Sequence, residues 1–147
     1  VTKLTALVLV SVVATGCVST LDASNSVPFE IKSPYSSETT YRNIVRALNE
    51  CYPVSSTIAA QYYPEAREGE IKFSGTADSV RLDYISALVK PSESGATVLF
   101  NRHKWYQGFE EAAIPWIEGK ITRCPYSATR DPRPPGSVTN QQNMPGL

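Results

Sequence analysis

Residues able to do chemistry are sparse in this chain. Among 147 residues there are one His, three Cys, and 14 Lys+Arg against 14 Asp+Glu. His103 stands between Arg102 and Lys104. Cationic neighbours depress an imidazole pKa, which suits a solvated surface position better than a general base. Glu110 and Glu111 are adjacent, so on a helix their side chains diverge by about 100° and cannot meet as a dyad. Glu65, Glu68 and Glu70 crowd a turn with Arg67 and read as a solvated rim. A metal site needs about three or four convergent ligands, and no His, Cys or carboxylate run has that spacing. Nucleophile-elbow, phosphate-loop and dinucleotide fingerprints are missing. The residues therefore predict no catalytic side chain, no metal and no cofactor. The balanced charge also lacks the basic footprint of a nucleic-acid binder.

The cysteines carry more information. Val1-Thr2-Lys3 is a short, weakly basic start, Leu4 to Val13 is an almost unbroken apolar run of ten residues, and Ala14-Thr15-Gly16-Cys17 follows. A bilayer span needs about 20 apolar residues, so this run has the length of a signal-peptide core instead. The ordered series resembles the lipobox of bacterial lipoproteins, with Ala14 where the family most often has Leu. That resemblance implies removal of residues 1–16 by signal peptidase II and acylation of Cys17 by diacylglycerol and palmitate-like chains. It also implies outer-membrane residence facing the periplasm, because Val18 replaces the Asp that marks inner-membrane retention in enteric members. Ala14-x-Gly16 also fits an ordinary small-x-small cleavage site, which would release a soluble periplasmic protein.

Cysteine arithmetic bears on that choice. Ordinary cleavage leaves three thiols in an oxidising compartment, one necessarily unpaired within the chain, whereas lipidation of Cys17 leaves Cys51 and Cys124 as an even pair. A Cys51–Cys124 bridge closes a loop of about 74 residues, worth roughly 4 kcal/mol by loop entropy. A redox-active pair would need closely spaced or electropositive thiols, which neither cysteine shows.

The elements that must position these residues fall within one α+β domain. Residues 17–27 form the acylated cysteine and a Ser/Thr-rich tether, residues 28–124 the globular part with 13 of the 14 aromatics, and residues 125–147 a tail with five Pro. The tail is too poor in apolar residues to offset its ordering entropy and is expected to be disordered. Pro132-Arg133-Pro134-Pro135 within it has P-x-x-P spacing and reads as a stiff, extended stretch.

Tyr41, Ile44, Val45, Leu48, Cys51 and Tyr52 recur at helical spacing after a Ser36 or Ser37 cap, and Pro53 ends that helix. A second helix is expected from Lys104 to about Lys120, with Trp105, Phe109, Ala112, Ala113, Trp116 and Ile117 as its apolar stripe and Pro115 as a kink. Trp105 and Trp116 are read as core anchors. Between the helices the period falls to two: Ile58, Ala60 and Tyr62; Ile71 and Phe73; Val80, Leu82 and Tyr84; Val98 and Phe100. Phe29 and Ile31 add a short strand before the first helix. Turn chemistry at 64–69, 76–79 and 91–95 implies antiparallel neighbours.

The predicted fold is β-α-β-β-β-β-α, an antiparallel sheet with two helices on one face. That order resembles the helix-grip or TATA-binding-protein-like arrangement, including small lipoprotein domains such as BamC, in element order and location. Two functional readings follow. One is a membrane-anchored accessory module that binds an envelope protein. The other is a carrier of a small hydrophobic ligand in a sheet–helix cleft lined by Trp105, Tyr106 and Trp116.

Overall fold

The computed structural model describes residues 18–52, 56–77 and 80–125. The leader at 1–16, Cys17, the turn residues 78–79 and the tail from 126 onward lie outside the described residues. The elements run β1 (Val18–Ser19), β2 (Ser26–Ser33), α1 (Ser37–Cys51), β3 (Ser56–Tyr63), β4 (Glu68–Ala77), β5 (Val80–Ser92), β6 (Gly95–His103) and α2 (Phe109–Ile117). From β2 onward this is the expected β-α-β-β-β-β-α order. The five long strands lie β2-β6-β5-β4-β3, with every neighbouring pair antiparallel.

Strand alternation sorts the sheet into two faces. On one, Phe29, Phe100, Ala87, Ile71 and Ala60 form a row across the sheet, and Ile31, Val98, Val89, Gly69 and Tyr62 form the next. Both helices cover this face. α2 sets Phe109 edge-on against Phe29 and Phe100, and α1 lays Tyr41 over Gly69. A Cβ at Gly69 would stand 2.4 Å from the Tyr41 ring, so only glycine admits the helix this close. The opposite face carries rows such as Glu30, Leu99, Leu88, Glu70 and Gln61, polar at the ends and apolar in the middle.

Helix α1 begins as its sequence dictates. Ser36 Oγ accepts the Thr39 amide at 3.2 Å, and Glu38 sits in the first turn beside Arg42. The buried stripe is Thr40, Ile44, Ala47, Leu48 and Cys51. Thr40 is polar yet fully buried, which its 2.7 Å hydrogen bond to Ser33 permits.

Three expectations are corrected. First, α2 does not begin at Lys104. Gly108 has φ +73°, a left-handed turn that starts the helix at Phe109, and Trp105 and Tyr106 belong to the connection from β6. Pro115 consequently falls in the last turn of a nine-residue helix. Second, the 17–27 tether is not loose where it is described. Val18 and Ser19 pair in parallel with Arg81 and Leu82, and a turn follows in which Asp22 Oδ1 accepts the Ser24 amide at 2.7 Å. Third, Pro125, expected to open the loose tail, is buried and accepts hydrogen bonds from the domain.

A bulge explains the odd phase of β5. The register shifts between Phe73 and Ser74, leaving Tyr84 as an extra residue between Asp83 and Ile85. Tyr84 and Ile85 are therefore consecutive and both buried. Ser74, also buried, donates to Asp83 at 2.8 Å.

Candidate functional site

The cysteine pair is bridged. Cys51 at the end of α1 and Cys124 beyond α2 have Cα atoms 5.4 Å apart, within disulfide range. Around the bridge the chain is clamped twice more. The Tyr52 and Tyr106 hydroxyls meet at the Pro125 carbonyl, with Tyr106 Oη 3.0 Å from it and Tyr52 Oη bonded to both. Burial pushes the Tyr52 phenol well above its ordinary pKa, against a smaller opposing effect of the Tyr106 hydrogen bond. These are neutral hydroxyls holding a backbone segment, an architectural arrangement.

The three aromatic residues expected to form one ligand or partner surface do not share one. Trp116 is fully buried, edge-on to Phe109, and its Nε1 donates to the Arg123 carbonyl at 3.2 Å. Tyr106 is buried among Tyr52, Phe73 and Tyr84. Trp105 alone faces solvent, 47% exposed. The physical reason is the late start of α2: Trp105 sits in a turn, off the helical stripe that would have carried it inward. The core-anchor reading thus holds for Trp116 and fails for Trp105.

His103 is likewise displaced from its expected setting. The side chain is buried, with Trp105 packed on the ring at 4.7 Å and its Nδ1 accepting the Trp105 amide at 3.3 Å. Burial first, and then the Lys104 charge, hold its pKa below the ordinary value, while Asp22 pulls weakly the other way. The two adjacent carboxylates of α2 are occupied elsewhere. Glu110 pairs with Arg102 on β6 at 2.5 Å, and Glu111 with Arg123 at 2.6 Å. Among the described residues no three His, Cys, Asp or Glu side chains converge on a metal position. The Tyr84 hydroxyl is buried with no hydrogen-bond partner among the described residues.

What stands out is an edge. Among the described residues the sheet ends on β2 at one side and β3 at the other. Natural proteins protect such edges from pairing with other chains by placing charges, Pro or bulges on them. β2 (SVPFEIKS) has Pro28, Glu30 and Lys32. β3 (STIAAQYY) has eight residues without charge, Pro or Gly, and it is mostly exposed. An open depression lined by Ile58, Ala59, Ala60, Gln61, Glu70 and Lys72 runs there. Ala59 and Gln61 are the cross-strand partners of Lys72 and Glu70, so the depression lies over β3 and β4 on the face away from the helices, beside the edge strand. This edge escaped the sequence reading because Ser56–Tyr63 says where a strand is and not where it lies in the sheet. Its signal was the contrast in charge between the first strand and this one.

No family model and no curated protein matches the chain. Among solved structures, protein CV1439 from Chromobacterium violaceum is similar at 12% identity and a TM-score of 0.34, covering 67% of this chain and 99% of that one.

Proposed function

We propose that this protein is an envelope lipoprotein, anchored through Cys17, whose domain binds a partner protein by accepting an extended segment along the free edge of β3. The observation that carries the reading is the contrast between the two sheet edges: β2 protected by Pro28, Glu30 and Lys32, β3 bare over Ser56–Tyr63. An added strand gains affinity from backbone hydrogen bonds and specificity from the flanking side chains. Two further features are consistent with the setting. A disulfide belongs to an oxidising compartment, as an exported domain would occupy. The ordered series ending at Ala14-Thr15-Gly16-Cys17 resembles a lipobox. On this reading the protein acts by holding a partner at the outer membrane and performs no chemistry of its own.

The alternative reading, a carrier of a small hydrophobic ligand, requires room between sheet and helices. Phe100, Phe109 and Trp116 occupy that space, each fully buried and in ring contact with Phe109 at its centre. No specific observation favours the carrier.

The test is recovery of partners from membranes with full-length wild type and with Ala59→Lys/Gln61→Lys. Both positions are exposed, so the substitutions charge the edge without entering the core. Loss of the recovered partner with an unchanged melting temperature supports the proposal. Equal recovery by the charged-edge variant refutes it.

A further inference from the structure

We infer that the segment accepted by β3 is an antiparallel strand reading basic–apolar–acidic, with its basic residue beside Glu70, its apolar residue opposite Ala60 and its acidic residue beside Lys72. This rests on the reading of β3 as a docking edge, and adds to it the chemistry of the partner.

The first observation is a pair of uncommitted charges one strand in from the edge. Glu70 stands opposite Gln61 and Lys72 opposite Ala59, all four exposed on the face away from the helices. Among the described residues neither Glu70 nor Lys72 is in an ion pair. A strand added to β3 would lie about 9–10 Å from β4, two strand spacings. Ala59 is too short to block the way across, and the open depression lies there. The Lys72 stem, laid over Ala59, carries its ammonium to an acidic residue on the added strand. In the other row the long stem comes from the partner: a lysine or arginine opposite Gln61 reaches over it to the Glu70 carboxylate.

Neighbouring charges keep this polarity. Glu68, two residues before Glu70 and opposite Tyr63, reinforces the acidic end. Glu65 and Arg67 in the β3–β4 turn offset one another. Asp83, near the basic end, is engaged by Ser74 at 2.8 Å. Lys90 is on β5, on the far side of β4 from the edge.

The second observation is a gap on the helix side. α1 runs beside β3 from end to end: Ser37 shares a 3.2 Å hydrogen bond with the Tyr62 hydroxyl, and Ser56 donates to the Tyr52 carbonyl at 3.1 Å. Tyr41 packs on Tyr62 with ring centres 5.3 Å apart, and Val45 continues the same side of α1 one turn later. Ile58 and Tyr62 are half-buried there, yet Ala60 between them is exposed. The charges Glu38 and Arg42 on α1 pair with each other at 2.6 Å. A large apolar residue opposite Ala60 fills the gap, whereas a polar one would be desolvated without a partner.

Side chains alternate along a strand, so the residue opposite Ala60 is flanked by the two that face Glu70 and Lys72. Every neighbouring pair of long strands in this sheet is antiparallel, which is also the more stable pairing per residue. Running against β3, the partner meets Gln61 before Ala59, and its basic residue comes first.

The experiment measures fluorescence anisotropy of two labelled synthetic peptides with full-length protein in detergent. Both are blocked valine–threonine strands of identical composition, one with arginine–leucine–glutamate at its centre and the other with glutamate–leucine–arginine. The arginine-first peptide is expected to bind about fivefold tighter. Glu70→Lys/Lys72→Glu, at two exposed positions, should invert the order. Serine in place of the central leucine should weaken binding about tenfold. Equal affinity of the two peptides for wild type, with both lost on Ala59→Lys/Gln61→Lys, overturns the pattern and leaves the edge standing. An order that Glu70→Lys/Lys72→Glu does not change overturns the pattern as well. So does failure of both peptides to bind, and the edge is then judged by partner recovery from membranes alone.

Discussion

Loss of the Cys51–Cys124 bridge should cost the domain a large part of its stability, and the two possible single variants should differ. The bridge spans 73 residues of sequence, for which loop entropy gives about 4.4 kcal/mol at 25 °C. The described part has roughly a hundred residues, so its unfolding entropy near the midpoint is about 0.2 kcal/mol/K and the melting temperature should fall by about 20 °C. Cys124 is exposed, and Cys124→Ser should show that loss alone. Cys51 is 5% exposed among Leu48 and Tyr52, so Cys51→Ser also buries a hydroxyl in apolar surroundings, at a further cost of about 1–3 kcal/mol. Combining both substitutions should be no worse than Cys51→Ser, because they remove the same covalent bond. Thermal unfolding followed by circular dichroism, with and without reductant, measures all four states. Reduced wild type should melt where Cys124→Ser melts. If Cys124→Ser melts within about 3 °C of the oxidised wild type, less than 1 kcal/mol is at stake and the reasoning fails.

Other outcomes follow from single contacts. Gly69→Val should destabilise the domain by about 1–3 kcal/mol by forcing Tyr41 away from the sheet, whereas Tyr41→Ala in the same chain should relieve much of that penalty; additive losses would contradict the close approach. Because His103 is held below the ordinary imidazole pKa, the unfolded chain binds more protons between the folded value and about 6.5. Its contribution is present above about pH 6.5 and is lost as pH falls toward the folded value. Melting temperatures should drop through that window in wild type and less so in His103→Gln; identical slopes would refute the assignment. Phe109→Ala, removing the ring that touches Phe29, Phe100 and Trp116, should cost about 3–5 kcal/mol in denaturant unfolding, and a loss under 1 kcal/mol would mean the helix–sheet interface is looser than described.

Most of the fold was legible in the sequence because the periodicities are strong. The apolar stripe of α1 and the alternation of β3, β4 and β6 predicted those elements closely, and the Ser36 cap was readable from residue type. The failures have local causes. Trp105 has the right spacing to extend the α2 stripe, but Gly108 takes a left-handed turn whose use no hydrophobic count reveals. His103 was judged by its charged neighbours in sequence, whereas its setting depends on Trp105 folding back over it. The bulge at Tyr84 flips the phase of β5 after a regular start, so one strand reads as two half-patterns. Val18–Ser19 carries too short a pattern to announce pairing; its place depends on β6 ending before β5 begins. The same dependence on strand order hid the bare edge at β3.

That edge is the centre of the functional account, and site-specific photocrosslinking tests it most directly. A photoreactive residue replaces Gln61 on exposed β3 or, in a separate variant, Glu30 on exposed β2, and each full-length protein is irradiated in intact cells. The account predicts a discrete adduct with one envelope protein from Gln61 and none of that mass from Glu30. No adduct from Gln61, or the same adduct from both edges, would contradict it.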